Sequence, residues 1–137
     1  MAYWLLKSEP GEWSWEDQVK EGPGGAEWDG IRNYQARNNM RAMKKGDKAF
    51  FYHSVNEKQI VGIVEVVAES HPDSTDGTGK WDCVDVAAVE PFPKPVTLED
   101  AKAEPALADM VLVNNTRLSV QPVSDSEWKT IRKMGGL

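Results

Sequence analysis

A mixed α/β fold, a small β-barrel flanked by short helices, is what this sequence predicts, and three observations carry the prediction. Alternating or β-branched runs at Tyr3 to Lys7, Lys48 to Ser54, Gln59 to Glu69 and Trp81 to Glu90 are separated by turn signals. Three stretches open with capping pairs: Ser14 with Asp17, Thr97 with Asp100, and Ser124 with Glu127. Gly62 interrupts one of the Val- and Ile-rich runs, as expected where a strand bends round a small barrel.

In the first strand Trp4 and Leu6 alternate against Tyr3 and Leu5, and Pro10-Gly11 breaks it. Ser14 starts a helix over Trp15 to Lys20, with Trp13 and Trp15 read as packing residues, and Gly22 to Gly25 form a turn. Asn33 caps a helix whose Ala36, Met40 and Met43 recur at helical spacing until Gly46-Asp47. Lys48 to Ser54 and Gln59 to Glu69 form a hairpin across a turn at Val55 to Lys58. His71-Pro72 to Lys80 reads as a loop without structure of its own. In Trp81 to Glu90, Val84 and Val86 lie opposite Cys83 and Asp85, and Pro91, Pro93 and Pro95 are expected to stop the pairing. Thr97 starts a helix broken at Glu104-Pro105. Val111 to Val113 and Leu118 to Val123 read as the last strands, separated by an Asn114-Asn115 turn. A final helix carries Trp128, Ile131 and Met134 on the face expected to dock on the barrel.

The 137 residues are enough for one domain whose core needs no disulfide or structural metal. Apolar (40%) and charged (28%) fractions are those of an ordinary soluble globular protein. The single cysteine, Cys83, excludes an internal disulfide and a multi-cysteine zinc site. With only His53 and His71 beside it, none of the usual metal-ligand spacings and no glycine-rich phosphate loop can be drawn. No metal, cofactor or nucleotide-cofactor chemistry is therefore expected. The N-terminal apolar run is too short for a signal peptide and no run reaches bilayer length, so a cytoplasmic protein without a membrane partner is expected.

Charge is unevenly placed. Residues 9–29 carry seven acids against Lys20, whereas in 32–48 six cations (Arg32, Arg37, Arg41, Lys44, Lys45 and Lys48) oppose Asp47 alone. That second segment is locally +5 in a chain of net charge -6. Charge runs of this kind usually solvate a helix face. Beside Trp28, Tyr34, Tyr52 and His53, however, they also pair anion attraction with flat rings, the combination that single bases need. The acidic sequence pI of about 4.9 argues against indiscriminate duplex binding, so a nucleic-acid contact would be local and base-centred. Trp28, isolated among Ala26, Glu27, Asp29 and Gly30, is the best candidate for an exposed ring. Lys7-Ser8-Glu9 stands at a strand end, where polar groups can project into a pocket. Tyr52 and His53 point to opposite faces of their strand, and His53 is the favoured cavity residue.

Five blocks, KSEP (7–10), WDGIRNYQARNNMR (28–41), GDKAFFYHS (46–54), HPD (71–73) and RLSVQPV (117–123), closely resemble the EVE domain in the right order and over nearly the whole chain. The resemblance implies a PUA-like fold, akin to the YTH and ASCH domains, and a reader of a modified base in DNA or RNA. It implies a base pocket drawn from Lys7, Ser8, Glu9, Trp28, Asn33, Tyr34, Tyr52, His53 and Ser54. Trp28 would stack there, while Ser8, Glu9 and Asn33 read edges. Arg32, Arg37, Lys44 and Arg117 would meet phosphates. The loop 74–80 lacks the aromatic residues of longer members, which would leave Trp81, Tyr52 or a partner to close the cage. The same fold class suggests an alternative, a small hydrolase of a modified nucleoside using Lys7, Ser8, Glu9 and His53. A third reading is a protein-interaction domain working through its acidic surface.

Overall fold

The structure is a computed structural model that describes residues 2–55, 57–115 and 117–137. Among the described residues six strands make one mixed sheet: β1 (Tyr3–Ser8), β2 (Ala26–Glu27), β3 (Lys48–His53), β4 (Gln59–Pro72), β5 (Asp82–Thr97) and β6 (Val120–Val123). Their spatial order is β2-β5-β4-β3-β1-β6. β1 and β3 pair in parallel and every other neighbouring pair is antiparallel. The mixed α/β, barrel-like class expected from the sequence holds. The sheet is not closed, β2 and β6 being its edges.

Both faces of the central strands are covered, which is why WLL in β1 and AFFY in β3 read as continuous apolar runs rather than clean alternations. On one face Trp4, Leu6, Phe51, Val64 and Val84 pack against Ala36, Met40 and Met43 of α2 (Tyr34–Ala42) and its C-terminal cap. On the other, Leu5, Phe50, Ile60 and Val96 pack against Trp128 and Ile131 of the C-terminal helix (Asp125–Met134). There the Trp128 ring stacks on Phe50 at 4.0 Å and on Tyr3 at 4.3 Å.

The capping pairs form as the sequence implies. Ser14 caps α1 (Trp15–Lys20), Thr97 caps α3 (Leu98–Ala103), and Ser124 caps the C-terminal helix, each with a reciprocal capping box. Asn33 caps α2, its Oδ1 accepting the Ala36 N–H at 2.9 Å. Asp47, which ends the pattern of α2, is buried and holds the turn together. Its carboxylate accepts Trp4 Nε1–H (3.1 Å), Lys44 N–H (3.0 Å) and Ala2 N–H (3.3 Å).

The hairpin forms, its expected turn including Asn56, which lies outside the described residues. At Gly62 the close approach is real. The Trp15 ring lies over the backbone, so that a Cβ there would sit 2.5–2.7 Å from three ring carbons. The β3–β4 register slips by one residue at this point, as a bulge requires.

Three expectations fail. β5 continues through Pro91, Pro93 and Pro95, because its second neighbour, β2, pairs only with Asp85 and Val86, leaving that stretch an edge. A register shift also separates Gly62↔Pro91 from Ile60↔Val96. Val111 to Val113 is not a strand but the start of α4 (Val111–Asn114). Burial of Leu112 in this turn, next to buried Met110 at its cap and Leu107 in the 3-10 turn before it, outweighs the valines' β preference there. Finally, β4 runs through Pro72, and the loop after it is ordered by its own aspartates. Asp73 Oδ1 accepts Thr75 N–H at 2.7 Å, and Asp76 accepts Thr78 N–H and Trp81 N–H at 2.9 Å each. The Thr78 hydroxyl, donating at 2.7 Å, and then these two N–H groups hold the Asp76 carboxyl down at about 2.

Candidate functional site

In their parallel register β1 and β3 end side by side, Ser8 opposite His53. Beyond that end lies an open cavity of about 820 Å3. Its floor comes from the strand ends, Lys7, Ser8 and Ser54. Its walls come from the segment leading into α1, from β2 and the turn after it, and from Ser74, Arg117 and Ser119. Ser54 N–H donates to Ser8 O at 2.9 Å, which ties the two strand ends together. Ser8 Oγ–H donates to Trp13 O at 2.6 Å, folding the next segment back over the floor.

Of the residues expected in a base pocket, Lys7, Ser8, Glu9, Trp28 and Ser54 line this cavity, joined by Arg117. Trp28 is not the exposed ring expected. It is 5% exposed and packs edge-on against Phe51 at 5.4 Å, yet it forms part of the cavity wall. Its isolation in the sequence reflects a two-residue edge strand, too short to show a period, after which Trp28 N–H donates to Val84 O. Trp13, read as packing, also lines the cavity. Its Nε1–H donates to Gln18 Oε1 (3.0 Å), and buried Gln18 donates in turn to Val86 O (2.9 Å). The available signal was its position between a polar strand end and a helix cap.

The remaining expected pocket residues lie outside. Asn33 is committed to capping α2. Tyr34 is exposed and stacks on Trp81 at 4.9 Å, so neither ring closes the cavity. Tyr52 is buried in the opposite core, where burial raises its hydroxyl pKa. His53 shares a face with Phe51 as expected, but its Nε2 accepts Trp15 N–H at 3.0 Å and its Nδ1–H donates to Glu57 at 2.9 Å. The partners of the two ring nitrogens are thus the Trp15 backbone and Glu57 rather than Ser8 or Glu9.

Of the four cations expected at phosphates, Arg117 lines the cavity, whereas Arg32, Arg37 and Lys44, like the rest of the basic run, are not among its lining residues. Arg32 is bound to Asp73 (3.2 Å), Thr75 Oγ1 and Ile31 O. Arg37 donates to Lys80 O at 2.9 Å with its guanidinium 4.8 Å from the Tyr34 ring centre. Arg41 pairs with Asp82, and Lys48 with Glu65. Lys44 is exposed and away from the cavity.

The acidic segment surrounds the site instead. Glu9, Glu12, Glu21, Glu27 and Asp29 line the cavity against Lys7 and Arg117. Desolvation, with Asp73 and Glu27 nearby, raises the Asp29 pKa, while the Ser74 N–H lowers that of Glu27. Burial brings Lys7 down to about 8. A cavity of this kind offers ring surface, a hydroxyl floor and many acceptors. It suits a planar group with an amino edge and repels a phosphate.

A PUA-like sheet with a cavity at the end of two parallel strands defines a small ligand-accepting α/β module. The chain belongs to the EVE domain family, whose model matches residues 2–134. It is 40% identical to thymocyte nuclear protein 1 of Mus musculus, over 94% of this chain and 71% of that protein. A solved protein from Agrobacterium tumefaciens superposes with a TM-score of 0.98 at 61% identity, covering 100% of this chain and 94% of the other. The human THYN1 protein, solved in complex with DNA containing 5-methylcytosine, gives a TM-score of 0.91 at 35% identity, covering 100% and 99%. A YTH domain from Zygosaccharomyces rouxii shares the fold at a TM-score of 0.57 and 21% identity, over 98% of this chain and 86% of that one.

Proposed function

We propose that this chain is a non-catalytic nucleic-acid-binding module that accepts a modified base of DNA or RNA in the cavity between Lys7-Ser8, Trp13 and Trp28. The observation that carries the reading is the human THYN1 complex with 5-methylcytosine DNA, a protein that matches this chain over its full length. The chemistry of the cavity supports it. An extruded base costs a few kcal/mol to unstack, which indole contact and hydrogen bonds to its polar edge offset. The acidic walls favour a base with an amino group, such as a cytosine, and Arg117, which lines the cavity, is the cation that would meet its backbone. Arg32 and Arg37 act less directly, by fixing the loop 73–80 beside the opening. The hydrolase alternative is less well supported, because His53 has both ring nitrogens engaged outside the cavity.

Fluorescence anisotropy with short duplexes carrying one 5-methylcytosine or one cytosine tests this. The wild-type chain binds the modified duplex more tightly. Trp28→Leu loses about 1–3 kcal/mol of that binding, and Ser119→Trp, which fills the cavity from its wall, abolishes the preference. Circular dichroism verifies that each variant is folded. Equal binding of both duplexes together with DNA and RNA bearing other modified bases, or a preference that survives Ser119→Trp, refutes the reading.

A further inference from the structure

A second cluster of reactive side chains lies on the three strands at the β2 side of the sheet, on the face of β5 opposite Val84 and Val86. Cys83 and Asp85 are two residues apart on β5 and so share a face. His71 of β4 is the register partner of Cys83, and Glu27 of β2 is the register partner of Asp85. His71 Nε2, Cys83 Sγ and Asp85 Oδ1 all lie within 4.8 Å of one another. Nε2 is 2.8 Å from Oδ1 and 4.0 Å from Sγ, while Glu27 Oε1 is 3.5 Å from Sγ.

Two chemistries use a cysteine, a histidine and a carboxylate. A nucleophilic triad needs the thiol and the carboxylate on different ring nitrogens, so that the imidazole relays the thiol's proton. Here both approach the same nitrogen, Nε2, and Nδ1–H is turned away to donate to Pro72 O at 3.1 Å. Burial and the carboxylate of Glu27 also push the Cys83 thiol pKa up, which opposes nucleophilic attack. A metal site needs the other arrangement. Its donor atoms converge on one point, and the histidine's second nitrogen is anchored by a backbone carbonyl that fixes the ring.

We propose that His71, Cys83 and Asp85 are three ligands of a site for a thiophilic divalent cation of the zinc class, with the fourth coordination position open on the side of Glu27. Bonds of about 2.0–2.3 Å place neighbouring ligand atoms roughly 3.3–3.8 Å apart in a tetrahedral site. The pairs at 2.8 Å and 4.0 Å fall on either side of that range and the third pair lies within 4.8 Å, so side-chain rotation would have to bring the three atoms into it. All three ligands stand on paired strands, and the His71 and Asp85 side chains are 33% and 29% exposed, which leaves an approach for the ion. Glu27 faces Asp85 directly across the strands, a like-charge pairing that a cation relieves. On binding, the thiol and imidazole protons leave to solvent, and thiolate, neutral imidazole and carboxylate bind the cation. Sequence spacing hid the set, because Cys83 and His71 are 12 residues apart on different strands.

The proposal is independent of the base-binding reading, since no nucleic acid enters its test. The full chain, stripped with EDTA, is titrated with Co2+ and then with Zn2+. Saturable one-to-one binding is expected, with a sulfur-to-cobalt charge-transfer band that disappears on Zn2+ addition. Cys83→Ser loses the band, and His71→Gln weakens Co2+ binding on the order of tenfold or more. Should Cys83→Ser fail to fold, Asp85→Asn serves as the second ligand variant, with the same weakening expected. The absence of a sulfur-to-metal band in the wild-type chain, or an affinity indifferent to His71→Gln and Asp85→Asn, overturns the site and leaves only a His–Asp pair lying over a buried thiol.

Discussion

Gly62→Ala tests how the packing beneath the cavity is built. A Cβ at this position meets three Trp15 ring carbons at 2.5, 2.6 and 2.7 Å, about 1 Å inside ordinary van der Waals contact. The methyl cannot turn aside, because Gly62 sits in the paired part of β4 opposite Phe51. Nor can Trp15 retreat freely. Its ring stands edge-on to Phe51 at 5.4 Å, and its backbone N–H is held by His53 Nε2. Overpacking of this kind costs about 1–3 kcal/mol, which for a chain of this size lowers Tm by roughly 3–10 °C. Differential scanning calorimetry beside Gly77→Ala, a position with nothing within 4 Å, measures the difference. Displacement of Trp15 also drags Ser14 and Trp13, so binding of the modified duplex should weaken along with stability. If Gly62→Ala melts within a degree of Gly77→Ala, the Trp15 contact does not constrain the fold and the argument fails.

Asp47→Ala strips the partner from the buried Trp4 indole N–H and from two backbone N–H groups. The expected loss is about 2–4 kcal/mol, read as a lower urea midpoint with unchanged slope. Asn33→Ala removes the α2 cap and costs about 1 kcal/mol of stability, while affinity for the modified duplex is unchanged once unfolded protein is accounted for. A larger loss of affinity would return Asn33 to the binding surface. For Lys7 the sign follows from burial. Its folded pKa is about 8 against an ordinary 10.5, so between those values the unfolded chain holds the proton and the folded chain does not. Stability relative to Lys7→Met must therefore rise as pH increases from 8 to 10.5, and a flat or falling difference by chemical denaturation contradicts the burial.

Much of the fold was legible because local chemistry and global packing agree. The capping boxes at Ser14, Thr97 and Ser124, and the spacing of Ala36, Met40 and Met43, announce helices that the sheet then buries. What the sequence hid was long-range. Asp47 reads as a helix stop, yet its role as acceptor for Trp4 depends on a partner 43 residues away. Pro91 to Pro95 read as a break because nothing local reveals that β5 has an edge there. The site was half legible for the same reason. Lys7, Ser8, Glu9 and Ser54 follow from strand ends, but the basic run beside Trp28 suggested a cationic rim. In three dimensions Arg32, Arg41 and Lys48 are neutralised by Asp73, Asp82 and Glu65, and the acids of residues 9–29 border the opening.

The cavity's floor hangs from β1 and β3, interior strands covered on both sides, whereas its walls belong to a two-residue edge strand, a half-open turn and a surface loop. Amide exchange should register this as two tiers, slow at the backbone of Leu5 to Lys7 and Phe50 to Tyr52, fast at Gly11, Asp29 and Ile31. Selection can then redraw what the opening admits by altering peripheral residues, without disturbing the platform on which any guest rests.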